Sequence, residues 1–125
     1  MTEEQLALLV DRFYAKVRKD ALIGGVFNQA IDDWPHHLEK LSAFWSAVML
    51  TTGRYKGNPM AAHLMHRDEI RPAMFERWLK LWGETARETL DEHGAASVIA
   101  KAERIAESLQ LGMFFKFETR GAAAA

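Results

Sequence analysis

The histidines are the residues to watch in this chain, because none of its 125 residues is cysteine. Disulfides, thiolate metal sites and thiol nucleophiles are excluded together, and any metal is left to imidazole or carboxylate. The five histidines are His36, His37, His63, His66 and His93. His36 and His37 are adjacent, so on a helix they point about 100° apart and cannot chelate one ion as a pair. His63 and His66 are three residues apart and share a helical face, which permits a two-histidine site. No carboxylate completes it within the same turn, since Asp68 and Glu69 lie beyond the break in the pattern. Spacing alone explains His63 better as an ordinary helical residue than as a ligand. No phosphate-cradling glycine loop, nucleophile elbow or carboxylate dyad is present.

Two more polar tips sit on apolar boundaries. Tyr14 follows Phe13 and precedes Val17 by a turn, and His37 precedes Leu38 by one residue and Leu41 by a turn. A phenol and an imidazole so placed need partners. For Tyr14 the plain alternative is a packed ring whose hydroxyl reaches water. The chain also carries four Trp, seven Phe, two Tyr and six Met. That is more wide, flat, polarisable surface than a small Leu-rich bundle needs, and it suits a cavity around a large planar guest.

The elements that must hold these residues are helices throughout. Leu6, Leu9, Val10, Phe13 and Val17 form one stripe of a helix predicted over 3–19, capped by Thr2 with Gln5 closing a capping box. Residues 21–27, with Gly24-Gly25 inside, read as a connector made of a short helical turn and a corner. Asp32-Asp33-Trp34-Pro35 marks the start of a second helix. It carries Leu38, Leu41, Phe44, Trp45, Val48 and Met49 and is ended by Gly53. Residues 53–59 form a loop, and Asn58-Pro59 caps a short helix bearing Met60, His63 and Leu64, which breaks at Arg67-Asp68. A third long helix runs from about Arg71-Pro72 to Glu92, with Phe75, Trp78, Leu79 and Trp82 on one face and Gly94 as its stop. Glu76, Lys80 and Glu84 form i,i+4 pairs on its outer face. A fourth is predicted over 95–117, followed by a frayed tail at 118–125.

Composition sets outer bounds. With 49% apolar residues, the length suits one domain around one core, spanning residues 1–125. Sixteen Lys and Arg against 17 Asp and Glu leave a formal charge of −1, which argues against nucleic acid as a partner. No apolar run is long enough to cross a membrane, and the acidic start Met1-Thr2-Glu3-Glu4 is unlike a secretory signal. The expectation is a soluble, cytoplasmic protein with no membrane partner.

Six spaced fragments, taken in order, are similar to the group III truncated haemoglobins. They are Phe13-Tyr14-x-Lys16-Val17-Arg18-x-Asp20, Val26-Phe27, Asp33-Trp34-x-x-His37-Leu38, Phe44-Trp45-Ser46, Thr52-Gly53-x-Tyr55-x-Gly57-x-Pro59-Met60-x-x-His63, and Phe75-x-Arg77-Trp78-Leu79-x-Leu81-Trp82. The resemblance covers about residues 6–115, and the run from Gly53 to His63 is its sharpest part. It implies an all-α truncated globin, a two-over-two helical sandwich around haem b and its iron. His63 resembles the family's proximal iron ligand, and its second ring nitrogen could bond a carbonyl one turn back, near Pro59 or Met60. On the opposite face Tyr14, His37 and Trp78 match residues that address a bound diatomic gas. Leu41, Phe44 and Trp45 would wall the pocket, and Phe27 resembles the phenylalanine packed flat on the porphyrin. Tyr55 and Met60 belong to the same haem-binding set by their place in the motif. His36 takes no family role. Gly25 stands where the family often has proline. For the propionates the resemblance leaves Arg54, Tyr55, His66 and Arg67 as candidates.

The function implied is binding of dioxygen, nitric oxide or carbon monoxide. Oxygen and nitric oxide handling would extend to nitric oxide turnover with an unidentified reductase as partner. A peroxidase-like haem enzyme is a second reading, with His37 as acid and base for O–O cleavage. A haem-free helical interaction module is a third, separated from the others by the presence or absence of a haem absorption band.

Overall fold

A computed structural model of the protein describes residues 1–114. The end of the last predicted helix, with Phe117, and the predicted tail at 118–125 lie outside the described residues. Six helices follow one another: α1 (Glu3–Val17), α2 (Gly24–Ala30), α3 (Trp34–Leu50), α4 (Pro59–Leu64), α5 (Pro72–Thr89) and α6 (Glu92–Phe114). No strand occurs among the described residues.

Three helix starts use the chemistry their sequences advertise. Thr2 Oγ1 accepts the Gln5 N–H at 3.1 Å while Gln5 Oε1 accepts the Thr2 N–H at 2.8 Å, the reciprocal box expected. Asp33 Oδ1 accepts the His36 N–H at 3.1 Å, with Pro35 in the first turn. Asn58 Oδ1 accepts the Ala61 N–H at 3.1 Å, with Pro59 opening α4.

The predicted boundaries need correction in three places. Helix α3 stops at Leu50, where Thr51 turns left-handed (φ 54°), and Gly53 (φ 69°) takes up its positive φ in the loop beyond. Gly94 does not stop α5: Thr89 ends that helix, and the Asp91 carboxylate accepts the Gly94 N–H at 2.7 Å, which places the glycine in the first turn of α6. The short helical turn expected within 21–27 is a seven-residue helix whose bounds, Gly24–Ala30, are displaced towards the C-terminal side. Gly24 makes that position possible, since a Cβ there would lie 2.9 Å from the Val17 carbonyl oxygen at the end of α1.

Helix α1 packs on α3 and on α5, α5 packs on α6, and α4 packs on α6. The result is the two-over-two arrangement expected, with α1/α3 laid over α5/α6. Leu6, Leu9, Val10, Phe13 and Val17 are all buried in the main core with Trp45, Trp82, Ala86, Val98 and Ala102. Tryptophans fill its centre. Trp82 stacks on Trp45 at 4.4 Å and on Trp78 at 5.9 Å, and its indole N–H donates to the Val98 carbonyl at 3.1 Å. A second cluster, Phe75, Ala106, Leu109 and Met113, joins α5 to α6 near α4.

The corner between α1 and α2 is tied to α5. Asp20 Oδ2 accepts the N–H groups of Leu22 and Ile23 at 3.0 and 3.1 Å, and Oδ1 accepts the Arg77 Nε–H at 2.8 Å. Burial alone would raise the Asp20 pKa, but these donors and the Arg77 charge hold it below the usual carboxylate value. Arg77 precedes Trp78, so this pair anchors α5 beside one of the predicted site residues.

Candidate functional site

A cavity of about 450 Å³ opens between the layers, bordered by residues from all six helices. Its volume falls in the range of roughly 300–1,000 Å³ typical of small-molecule and cofactor sites. The interior is mainly aliphatic and aromatic, and exposed side chains of Asp32, Asp33, His36 and Lys40 contribute to its border.

One group of polar tips gathers around Tyr14. Its ring is buried, 5.6 Å from Phe27 and 6.5 Å from His37, with the imidazole perpendicular. Trp34 braces the pair at 5.9 Å from each, while the Arg18 guanidinium covers the Trp34 ring at 4.5 Å. Burial pushes the Tyr14 phenol up to about 12, and the adjacent Trp78 indole offsets only part of that. Tyr14 is therefore a protonated donor across the neutral range. His37 is half-buried; desolvation first, then the charges of Lys40 and His36, lower its pKa from the ordinary 6.5. It is the neutral imidazole at pH 7.

His63 stands apart from that group, on the short α4. Its Nδ1 lies 2.8 Å from the Pro59 carbonyl oxygen. A carbonyl can only accept, so Nδ1 carries the proton and Nε2 is left with a free lone pair. The ring lies nearly parallel to Phe75 at 6.4 Å, and both side chains border the cavity. This is the hydrogen bond expected one turn back.

Of the predicted residues, Tyr14, Phe27, His37, Leu41, Phe44, Trp45, Tyr55, His63 and Trp78 all border this one cavity. Tyr55 stands edge-on to Phe44 at 5.1 Å, and burial raises its pKa. Met60 is the exception. Its side chain is in the second cluster, where a Cβ on Gly112 would lie 2.5 Å from the Met60 methyl. The missing side chain at Gly112 leaves a hole on α6 that Met60 fills, and this turns it away from the cavity. Among the candidates for acidic groups on a guest, Tyr55 and His66 border the cavity. Arg54 is paired instead with Glu3, and Arg67 is outside the lining. Sequence reasoning missed Ile23, Val26, Ile31, Ile70, Met74, Phe75, Ile105 and Leu109 as lining residues. Phe75, Ile105 and Leu109 lie on apolar helical stripes, but periodicity does not tell a cavity wall from a solid core, and the others lie outside any such stripe.

Among the described residues no group of three or more His, Asp or Glu could hold a bare metal ion. One imidazole lone pair is enough, however, for a metal that brings its own equatorial ligands. A mainly apolar cavity, the free Nε2 of His63 and a separate group bearing the Tyr14 O–H and Trp78 N–H fit haem. Among the described residues no helix is long and apolar enough to cross a membrane.

Comparison with known proteins points the same way. No protein-family profile matches the chain. It is 34% identical over 124 residues to the group 3 truncated haemoglobin ctb of Campylobacter jejuni, covering 94% of each chain. It is also similar to the crystal structure of group III truncated haemoglobin from Campylobacter jejuni, with a TM-score of 0.82 and 34% identity over 91% of this chain and 92% of that one.

Proposed function

The chain belongs to the group III truncated haemoglobins, and on that premise we propose that it holds haem b in this cavity with His63 as the iron's protein ligand and binds dioxygen or nitric oxide there. Haem, when bound, supplies an iron that takes up one diatomic molecule and passes electron density to it. Everything else is the work of this chain's side chains.

The observation that carries this reading is the 2.8 Å bond between His63 Nδ1 and the Pro59 carbonyl. It fixes the tautomer, aims Nε2 and raises the ring's basicity. A carbonyl partner leaves the imidazole neutral, whereas a carboxylate would make it more anionic and push more electron density towards O–O cleavage. Gas binding is therefore favoured over peroxidase-like chemistry. The Tyr14 O–H and Trp78 N–H would donate to the electron-rich end of a bound ligand, and the apolar walls of Leu41, Phe44 and Trp45 would keep water from competing. Phe27, which lines the cavity, would pack against the haem. His37, neutral and half-buried, closes the way in.

Nitric oxide turnover is the reaction this arrangement would serve. One nitric oxide and one dioxygen combine to nitrate with uptake of one electron, so a reductase is the partner required. A visible spectrum of the purified chain tests the reading. We expect a Soret band in the ferric form that shifts on reduction and again on addition of carbon monoxide; a colourless chain that does not take up added haem would refute it.

A further inference from the structure

Ser46 lies in one of the sequence fragments set out above, yet the site makes no use of it. It is fully buried, and with Thr85 it is one of the two buried polar residues in the described core. Its hydroxyl has one proton, and that proton goes to Glu3 Oε1 at 3.0 Å, because a carboxylate only accepts. Thr52 must then be the donor in the 2.7 Å contact between the two hydroxyls. The Thr52 oxygen in turn accepts the Arg54 N–H at 3.4 Å, and the Arg54 guanidinium returns to the same Glu3 oxygen. The bonds form a closed ring through Arg54, Thr52, Ser46 and Glu3, joining the first turn of α1, the last turns of α3 and the loop that leads to α4.

We propose that this ring is a latch and that Ser46, Thr52, Glu3 and Arg54 are positioning residues for His63; the inference rests on the haem reading above. The exposed ion pair alone would hold little, since the Glu3 and Arg54 side chains are 45% and 47% exposed. The leverage comes from Ser46. If the loop lifts away, a hydroxyl in a dry environment loses Thr52, and such a loss costs more than the same bond is worth at the surface. A second observation marks the segment as held. Thr51 is β-branched and sits at φ 54°, a conformation that persists only where neighbouring contacts impose it. Arg54 is followed directly by Tyr55, whose ring borders the cavity against Phe44. Helix α4 begins four residues later and has no fully buried residue of its own. His63 is therefore held from two directions, by the seat of α4 on α6 and by the latch at the upstream end of the loop.

The test compares Ser46→Ala and Thr52→Val with Thr52→Ser, which keeps the hydroxyl. Amide hydrogen exchange over residues 51–57 is measured on each full chain with and without haem. On the loaded proteins, haem transfer to an excess of apomyoglobin and the iron–histidine stretching band of the ferrous form are recorded. Losing one latch bond should speed both exchange and haem loss by about tenfold. It should also shift or broaden the iron–histidine band. Thr52→Ser should restore wild-type behaviour, and the double variant Ser46→Ala/Thr52→Val should be no worse than either single one, because one ring is broken only once. Unchanged exchange over 51–57 in both single variants would overturn the latch. Faster exchange with an unchanged band and unchanged haem loss would overturn its link to His63. A wild-type chain that takes up no haem defeats the preceding proposal and with it that link, and is seen in the spectrum before any variant is made, whereas the exchange comparison judges the latch itself in either case.

Discussion

The imidazole of His63 donates from Nδ1 to the carbonyl of Pro59, one helical turn earlier and 2.8 Å away. The bond leaves Nε2 as the sole free lone pair of the ring. His63→Gly should therefore take the proposed iron ligand away without disturbing a buried core, since His63 is only partly buried. Haem affinity should collapse in the variant, and millimolar imidazole in solution should restore the Soret band by filling the space left by the ring. A His63→Gly protein with the wild-type spectrum and haem affinity would show that the iron is held elsewhere.

Tyr14 and Trp78 differ from an ordinary aromatic lining in carrying polar hydrogens. A charge-assisted bond in a pocket of this kind contributes roughly 1.5–3 kcal/mol. Tyr14→Phe and Trp78→Phe should each speed oxygen release by about tenfold to a hundredfold if the barrier feels most of that energy. Stopped-flow dissociation rates check this. Unchanged rates in both single variants and in the double variant would mean that these hydrogens point elsewhere.

His37 sets a pH dependence whose sign is determined by its environment. Burial, Lys40 and His36 all lower its pKa below 6.5, so the folded protein holds the neutral form at pH values where an unfolded histidine already begins to protonate. Its contribution to stability is complete above about 6.5 and is lost as pH falls through the lower folded value. Imidazolium prefers water, so the side chain should swing outward over that same range, below 6.5 rather than at it. Carbon monoxide association should quicken there. In His37→Leu it should be fast at all pH values, with the resting spectrum little changed. A low-spin spectrum of the wild type at pH 7 that becomes high-spin in His37→Leu would instead make His37 a sixth ligand.

The adjacent glycines of α2 should respond in opposite ways. A Cβ at Gly24 would meet the Val17 and Arg18 carbonyl oxygens at 2.9 and 3.0 Å, and backbone cannot step aside. Gly24→Ala should destabilise the fold by about 1–3 kcal/mol. A Cβ at Gly25 meets nothing within 4 Å, and alanine there should gain up to about 0.5–1 kcal/mol through its better helix propensity. Urea unfolding midpoints compare the two. Equal shifts would contradict the packing at the α1/α2 corner.

Local features were readable because their causes are local. The Thr2–Gln5 box, the Asp33 and Asn58 caps and the apolar stripe from Leu6 to Val17 each depend on residues within a few turns of one another. The errors arose where two local signals competed. Gly94 carries a helix-stop signal, but Asp91 three residues before it offered a cap, and the cap won because it satisfies a backbone N–H that a simple stop leaves open. Thr51 closed α3 ahead of Gly53 although nothing in its own type favours a left-handed backbone.

By itself the sequence determined that this protein is helical, where most of its helices begin, that its interior is unusually aromatic, and through six spaced fragments which family it resembles. Tertiary structure alone decided which apolar residues line a cavity and which fill a core, that Met60 turns to Gly112 while His63 borders the cavity, and that Arg54 is taken by Glu3. It also paired Asp20 with Arg77 and Ser46 with Glu3, partners 57 and 43 residues apart. The physical reason is one of range. Hydrogen-bonded turns and apolar periodicity act over about four residues along the chain, whereas the cavity and its anchors depend on how helices cross, and that is settled only when their faces pack together.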